Sequence, residues 1–441
     1  MSSAPSPFVR AALDSAATLP STGIAWLDAA RAENLEAFAV TGLPEGRNEA
    51  WKYTPLRALS QRGFALADRD AALSAIVDPA LYALPGVDGA PRVVFVDGVF
   101  RADLSSLAVD GVELSPLSGA LSANPEPLRF ALANRYRRGA ADAFAHLNAA
   151  LAGDGLVLRI PEGVALAKPL HVVHVSSGIQ GDTAWHARVL VDIGKGASAD
   201  LVEHFVSAGD ATQLGTLVSD VAVREGGRLG LVVVQDASAA TTLVRRSQVR
   251  LDERAEVTLH ALELGGALVR HEVNAELAGD GSRFDSRGVF ALSARQHVDT
   301  QLEIRHNARG TASDALWRGI ADGRSRGVFR GAIVVAEGAD GTDASLSNKN
   351  LLLSAQAEID TKPELEIYAD EVKAAHGATI GQLDERSLFY LRSRGIPVAQ
   401  ARSLLTLAFC RAVFESLPNE ALREHLGELL VAHLPTGPAT E

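Results

Sequence analysis

Between residues 155 and 380 the helical spacing of apolar residues disappears. Short runs rich in Val, Ile and Leu recur instead, each closed by Gly, Asp, Asn or Ser: GLVLRIPEG, PLHVVHVSSG, RVLVDIGKG, RLGLVVVQD, AEVTLHALELGG, RGVFRGAIVVAEG and PELEIYAD. In PELEIYAD, Leu365, Ile367 and Ala369 alternate with Glu366, Tyr368 and Asp370. Strand side chains alternate between faces, so one face is buried. So long a series of short strands, with no helix to wrap them, suits a sequentially stacked solenoid better than one sandwich. Turns of about 20–30 residues would give roughly eight to eleven rungs at about 4.8 Å, a rod of about 40–50 Å. No strict repeat is visible, and two β-sandwiches in tandem remain an alternative.

The flanks read differently. Residues 1 to 85 are mostly helical in pattern, with 24–38 rich in Ala, Leu and Glu behind a possible cap at Thr22. PEGRNEAWKYTPLR (44–57) breaks that pattern in a turn-like setting, and RVVFVDGVFRADL alternates around Asp97-Gly98, a hairpin turn pair. Residues 125–152 return to helix, with Leu128, Leu132, Tyr136, Phe144, Leu147 and Leu151 on one stripe. After Gln382, a helix over 383–394 meets Gly395 as its C-cap, and Pro397 suits the first turn of the next. That helix has two apolar stripes: Leu407, Cys410, Phe414 and Leu417 on one, and Val398, Ala401, Leu405, Ala408 and Ala412 on the other. Asn419 caps a last helix carrying Leu422, Leu426, Leu429 and Leu430. A small bundle needs one stripe, so the second either closes a three-helix packing or awaits a partner. The division expected is 1–152, mostly helical with a short hairpin; 153–382, a β-solenoid; and 383–441, helical.

Bulk properties remove several function classes. The chain has 441 residues, 47% apolar and 22% charged, with a formal net charge of −12. Acidity argues against broad phosphate-backbone binding to nucleic acid. The single cysteine, Cys410, allows no internal disulfide and no all-cysteine metal cage. No apolar run approaches 18 residues and the N-terminus lacks a secretory pattern, so a cytoplasmic protein away from membranes is expected.

Familiar catalytic constellations fail one by one. His171 and His174 at i, i+3 would face opposite sides of a strand, a poor chelate. His186, His204, His260, His271, His297 and His306 are scattered, and read as surface or hydrogen-bonded residues. H-E-x-x-H and G-x-S-x-G are absent, and Gly194-Lys195-Gly196 lacks phosphate-loop spacing. ATP, if used, must therefore be bound by another chain. Asp340, Asp343, Glu358, Asp360, Glu364 and Glu366 could serve a polysaccharide-cleaving β-helix, which needs paired carboxylates, or could simply occupy solvated turns.

His376 closes the strand-patterned region with no second histidine or cysteine within thirty residues. On a solenoid it would lie on or near the terminal rung, whose unpaired backbone groups must be capped or paired with another chain. A neutral imidazole there could bind a borderline metal, with other ligands arriving across an interface, or could merely cap a turn.

Three segments then carry a resemblance: RNEAWKYTPLRAL (47–59), DAFAHLNAALAGDGLVLRIPEGVALAKPLHVVHV (142–175) and SLSNKNLLLSAQAEIDTKPELEIYADEVKAAHGATIGQLDERSLFYLRSRGI (345–396). They are similar to the SufB/SufD family of iron–sulfur cluster assembly proteins. The resemblance implies a right-handed parallel β-helix flanked by helical domains, and a non-enzymatic role. Within the family the chain resembles the SufD type, since SufB-type members carry several cysteines. The implied partners are a SufB-like subunit, joined through the β-helix end, and a SufC-like ABC ATPase, docked on the C-terminal helices. Leu388, Leu391, Leu405, Phe409, Val413 and Phe414 are the docking residues expected there. The family's HGAT histidine maps onto His376, where a nascent cluster or iron would meet ligands from the SufB-like subunit. The chain departs from many relatives in having Ala374, not cysteine, two positions earlier. Cys410, mid-helix among apolar residues, reads as packing. A homodimer is expected when the SufB-like subunit is missing. Two other readings stay open: a pure scaffold for the SufB-like subunit, and a β-helix polysaccharide lyase or hydrolase. Truncation before Leu383 is expected to release the ATPase without melting the β-rich core.

Overall fold

The structure, a computed structural model, describes residues 5–133 and 142–434. Of the residues singled out above, Tyr136 lies outside the described ones. Sixteen strands run from Asp154–Ile160 to Val372–Gly381 and alternate between two parallel sheets. Each turn contributes one strand to each sheet, giving eight turns, or about 35–40 Å of stack at about 4.8 Å per turn. Register sets the turn length: Thr242 pairs with Leu268 and Leu156 with Val189, so one turn takes 26 to 33 residues. The tandem-sandwich alternative falls, because sandwich sheets are antiparallel and these ladders are parallel.

The interior between the sheets is the largest core. Leu158, Val189, Leu217, Val249, Phe290, Trp317 and Phe329 belong to it. Phe95, His174 and Phe205 lie in register on adjacent strands and stack at 5.4 and 4.8 Å. Deeper in, Arg245 pairs with Glu203 at 2.5 Å, and Glu263 accepts from Thr300 at 2.7 Å and pairs with His271 at 3.0 Å. These buried pairs tie the two sheets together across several turns.

The outer faces are covered as well. On the first sheet, Phe8, Phe38, Trp51, Phe144 and Leu147 cover Ala184, Leu214 and Val244. On the second, Cys410, Val413, Phe414, Leu417, Leu422, Leu426 and Leu430 pack on Val232, Val234, Leu262, Val289, Ile320 and Leu351. The C-terminal helices Val398–Phe414 and Glu420–His433 therefore lie back along the solenoid wall. The stripe of Leu407, Cys410, Phe414 and Leu417 is thus taken up by this chain's own sheet, whereas on the other stripe Val398, Ala408 and Ala412 are exposed, Leu405 is half-buried and Ala401 is buried.

The RNEAWKYTPLR segment is a strap across the first sheet. Trp51 lies under the Arg270 guanidinium at 3.9 Å, and Arg270 is ion-paired with Asp299. Thr54 donates to Asp299 at 2.5 Å, and Glu49 accepts from Lys362 at 2.8 Å. The expected hairpin is present: Val96 pairs with Val99 across Asp97 and Gly98, both at positive φ as a type I′ turn requires. The N-terminal region is otherwise more broken than expected, with short helices and an extra strand, Glu113–Pro116.

That extra strand makes the two ends of the solenoid unequal. Glu113–Pro116 pairs with Asp154–Ile160, and Arg92–Val96 pairs with Leu170–Ser176, so both sheets are extended beyond their first turn. At the other end, Glu358–Ile367 and Val372–Gly381 are the last strands of their sheets, with no described strand beyond them.

Candidate functional site

The open end is built from these two last strands. Their backbone groups alternate in direction. Glu358 N–H donates to Ser325 at 3.1 Å and Tyr368 N–H to Val335 at 2.9 Å, so the even-numbered residues face the preceding turn. Ile359, Thr361, Leu365 and Ile367 then turn their N–H groups outward. Pro363 falls in the same outward series and has none, a gap in the row that edge prolines commonly make. In the last strand, Asn350 Nδ2 donates to the Thr379 carbonyl at 3.1 Å, so Thr379 faces inward along the stack. Alternation turns Ala374, His376, Ala378 and Ile380 outward.

Side-chain faces follow from register. Leu346, a core residue 3% exposed, pairs with His376, and Ala344 pairs with Ala374. His376 therefore stands on the strand's inner face, at a level where no further turn covers it, and it is exposed. Gly331 and Leu346 oppose one another across the core, since a Cβ on Gly331 would lie 2.3 Å from Leu346 Cδ1. Gly331 pairs with Pro363 as Leu346 pairs with His376, so Pro363 and His376 face each other one turn further out. Ala374 and Ala378 flank the imidazole on its own face and leave room beside it. His376 thus stands exposed on the inner face of the last turn, between two alanines. Among the described residues His376 has no hydrogen-bond or ion-pair partner in the protein, so the turn-capping alternative loses its support.

The remaining candidates are spent elsewhere. His171 and His174 do face opposite sides: His171 stacks on His204 outside, and His174 on Phe205 inside. Burial pushes both imidazoles down to about 3. His186 bonds Thr216, His260 bonds Ser416, and His306 bonds Thr311 and Ser313. His186, His204 and His260 are buried because the outer walls of the solenoid are covered, His271 and His306 because they lie between the two sheets, and His297 is half-buried. Of the six acids considered for polysaccharide cleavage, Asp340, Glu358, Asp360 and Glu364 are paired with Arg309, Arg326 and Arg330. Cys410 is wholly buried, and desolvation pushes its thiol up to about 12, which suppresses the thiolate. Among the described residues no group of three or more His, Cys, Asp or Glu could hold a metal ion, and no helix is long and apolar enough to cross a membrane.

A second surface lies on the helices after the last strand. Asp384 caps Glu385–Ser393 by accepting from Arg386 and Ser387 N–H. Gly395, at φ +85°, ends it, with Ile396 N–H donating to Leu391 and Gly395 N–H to Arg392. Pro397 precedes the next helix as its N-cap. Of the six docking residues expected, Leu388, Val413 and Phe414 are buried, and Leu391, Leu405 and Phe409 are half-buried. Phe409 lies under the Arg318 guanidinium at 5.4 Å. Val413 and Phe414 pack on the solenoid, which takes them out of any open face. Exposed instead are Phe389 (71%), Tyr390 (57%), Leu404 and Val398. Helical periodicity alone had not brought out Phe389 and Tyr390. The signal was there in two adjacent aromatics on a short helix with only one buried residue.

Comparison with known proteins agrees with this architecture. Residues 174–409 match the SufBD core domain of SUF system FeS cluster assembly, and residues 12–172 match the SufBD protein N-terminal region. The chain is 32% identical over 408 residues to the iron–sulfur cluster assembly protein SufD of Escherichia coli, covering 92% of each chain. It is 28% identical over 392 residues to an iron–sulfur cluster assembly SufBD family protein of Synechocystis, covering 87% of this chain and 86% of the relative. It is 29% identical over 284 residues to SufD of Bacillus subtilis, 64% of each.

Proposed function

The chain belongs to the SufBD family of the SUF iron–sulfur cluster assembly system, and on that premise we propose that it is the SufD-type, non-catalytic subunit of an assembly complex. The open end of the solenoid pairs with a SufB-like subunit. The nascent cluster, or its iron, is cargo at that junction, met by His376 from this chain and by thiolates from the partner. ATP enters only through a SufC-like ABC ATPase docked on the C-terminal helices, whose two nucleotide states bias the junction. Without the SufB-like subunit, the same unpaired edge can take a second copy of this chain.

The observation that carries the reading is the unpaired last turn with an exposed imidazole on its inner face. A strand edge of this kind is a pairing surface, and a free histidine inside it adds a ligand at the point of contact. A scaffold that contributes no ligand is the second reading, favoured by Ala374 where many relatives carry a thiol. Loss or survival of cluster assembly in a His376 variant separates the two.

The ATPase surface is tested independently. Exposed apolar clusters mark interaction sites, and Phe389 and Tyr390 are exposed side by side, with Arg394 against the Tyr390 ring. Phe389→Asp with Tyr390→Asp is expected to remove the ATPase from co-purification. Melting should stay within about 0.5 kcal/mol of wild type per substitution, the usual range for exposed positions. Recovery of the ATPase at wild-type stoichiometry would place its docking site elsewhere.

A further inference from the structure

Among the described residues five arginines are buried, and four of them have a carboxylate. Arg101 pairs with Asp103 at 2.7 Å, Arg188 with Asp220 at 2.9 Å, Arg245 with Glu203 at 2.5 Å, and Arg270 with Asp299. Arg318, 8% exposed, has none. It stands on the strand Ala312–Ala321, whose Ala315, Trp317 and Ala321 point into the core, so its own side chain is on the outer wall. The Phe409 ring covers it from the helix Val398–Phe414, which contains no acidic residue. Asp314, on the same face of the same strand, is held by Arg287 and Ser345. Among the described residues, the one group near enough to act on its charge is the Cys410 thiol, which burial pushes up to about 12 and so keeps neutral.

A charge taken out of water without a counter-ion is strongly unfavourable. The hydrogen bonds of Arg318 show where the counter-ion would go. Nη1 donates to the Trp317 carbonyl at 3.0 Å. Nε and Nη2 donate to nothing among the described residues, yet neither is sealed from solvent. These two nitrogens share one edge of the guanidinium, the fork that takes both oxygens of a carboxylate side-on. Register supplies a second cation. Lys349, on Thr342–Leu352, pairs with Arg318 on the same outer face, and it is exposed and has no ion pair among the described residues. Thr379, exposed on the last strand, follows in the same row. The row of donors, about 4.8 Å apart from strand to strand, leads from the helix Val398–Phe414 toward the open end.

We propose that Arg318 and Lys349 form a carboxylate-binding site, filled by an aspartate or glutamate side chain of the ATPase docked on the C-terminal helices. The inference rests on the proposed function, because it takes those helices to be the docking face. Charge favours this occupant. The chain carries a net −12, but the helix Glu385–Ser393, packed against Val398–Phe414, adds exposed Arg386 and Arg392, and Arg394 follows. None of these three is ion-paired among the described residues. A cationic stretch on an acidic chain fits an acidic partner surface. Phe409 already excludes water from one face of the Arg318 guanidinium, so docking has mainly the arriving carboxylate to desolvate. The site also ties the docking face to the last turn, since Lys349 lies on the strand that pairs with the strand of His376.

The test measures binding of the purified ATPase to the full-length chain by calorimetry, at low and high salt. Arg318→Met keeps an apolar stem and removes the fork. It is expected to weaken the ATPase about 30-fold or more, the scale on which a buried charge pair loses one partner. Arg318→Lys keeps the charge without the fork and should recover only part of that loss. Lys349→Ala should weaken binding about 2- to 5-fold, and less at high salt. The melting temperature of Arg318→Met without the ATPase should equal or exceed that of wild type, because an uncompensated charge has been removed; an arginine of purely structural use would lower it. If that variant fails to fold, Lys349→Glu on the exposed position serves, and should weaken the ATPase more than Lys349→Ala does. Millimolar inorganic phosphate is the competing occupant. Phosphate that stabilises wild type but not Arg318→Met, with ATPase affinity unchanged in the variant, would make this a site for a free oxyanion and overturn the assignment to the ATPase. Unchanged ATPase affinity in both Arg318→Met and Lys349→Glu would overturn the inference while leaving docking on the helices standing. Full ATPase binding by Phe389→Asp with Tyr390→Asp would instead overturn that docking face, and this inference with it.

Discussion

Replacing His376 with alanine is expected to abolish cluster assembly while leaving the fold, ATPase binding and rim pairing intact. The side chain is exposed and has no described partner, so its removal opens no cavity and strands no polar group. Alanine already occupies the neighbouring inner-face positions Ala374 and Ala378 of the same strand, which shows that the strand tolerates it. Stability should therefore change by no more than about 0.5 kcal/mol. Function should change far more. Outer-shell partners of a metal ligand alone are worth roughly 10- to 100-fold in affinity or activity, so loss of the ligating group itself should exceed that. The check is the ultraviolet–visible spectrum of the anaerobically purified complex. A variant with wild-type cluster absorbance would leave this chain a scaffold.

Truncation after Gln382 is expected to collapse the solenoid, contrary to what the segmented sequence pattern suggests. Cys410, Val413, Phe414, Leu417, Leu422, Leu426 and Leu430 are all at most 4% exposed, against a sheet wall of Val232, Val234, Leu262, Val289, Ile320 and Leu351. Burial of a large apolar side chain is worth about 1.5–3 kcal/mol. Seven of them therefore match or exceed the 5–15 kcal/mol that separates typical folded and unfolded states. The truncated chain should aggregate, or melt at least about 10 °C lower, with dye-accessible apolar surface. A soluble truncate of unchanged melting temperature would show that the helices are a detachable module. Truncation is thus a poor probe of ATPase docking, and the Phe389 and Tyr390 substitutions replace it.

Much of this architecture was legible in the sequence, and for physical reasons. Strand alternation is local, so PELEIYAD and its relatives announce a stacked β core, and His376 follows at its last strand. Opposite faces for His171 and His174 likewise follow from the two-residue period. What a stripe cannot reveal is the identity of the wall it packs on. Val413 and Phe414 read as partner-facing because their true neighbours, such as Val234 and Leu262, are about 150 residues or more away. His186, His204 and His260 misled for the same reason: a polar residue on the outward face of a strand looks solvated until helices from both termini are laid over it.

The central claim is that the last turn is an unfinished sheet edge completed by another subunit. Amide hydrogen exchange, residue by residue on Val372–Gly381, tests it most directly. In the dilute chain alone, Ala374, His376, Ala378 and Ile380 should exchange as unpaired edge amides, while their inward-facing neighbours stay protected. On binding the SufB-like subunit, those four should become slow. If they remain fast in the complex while protection appears elsewhere on the chain, the open end is not where the subunits meet.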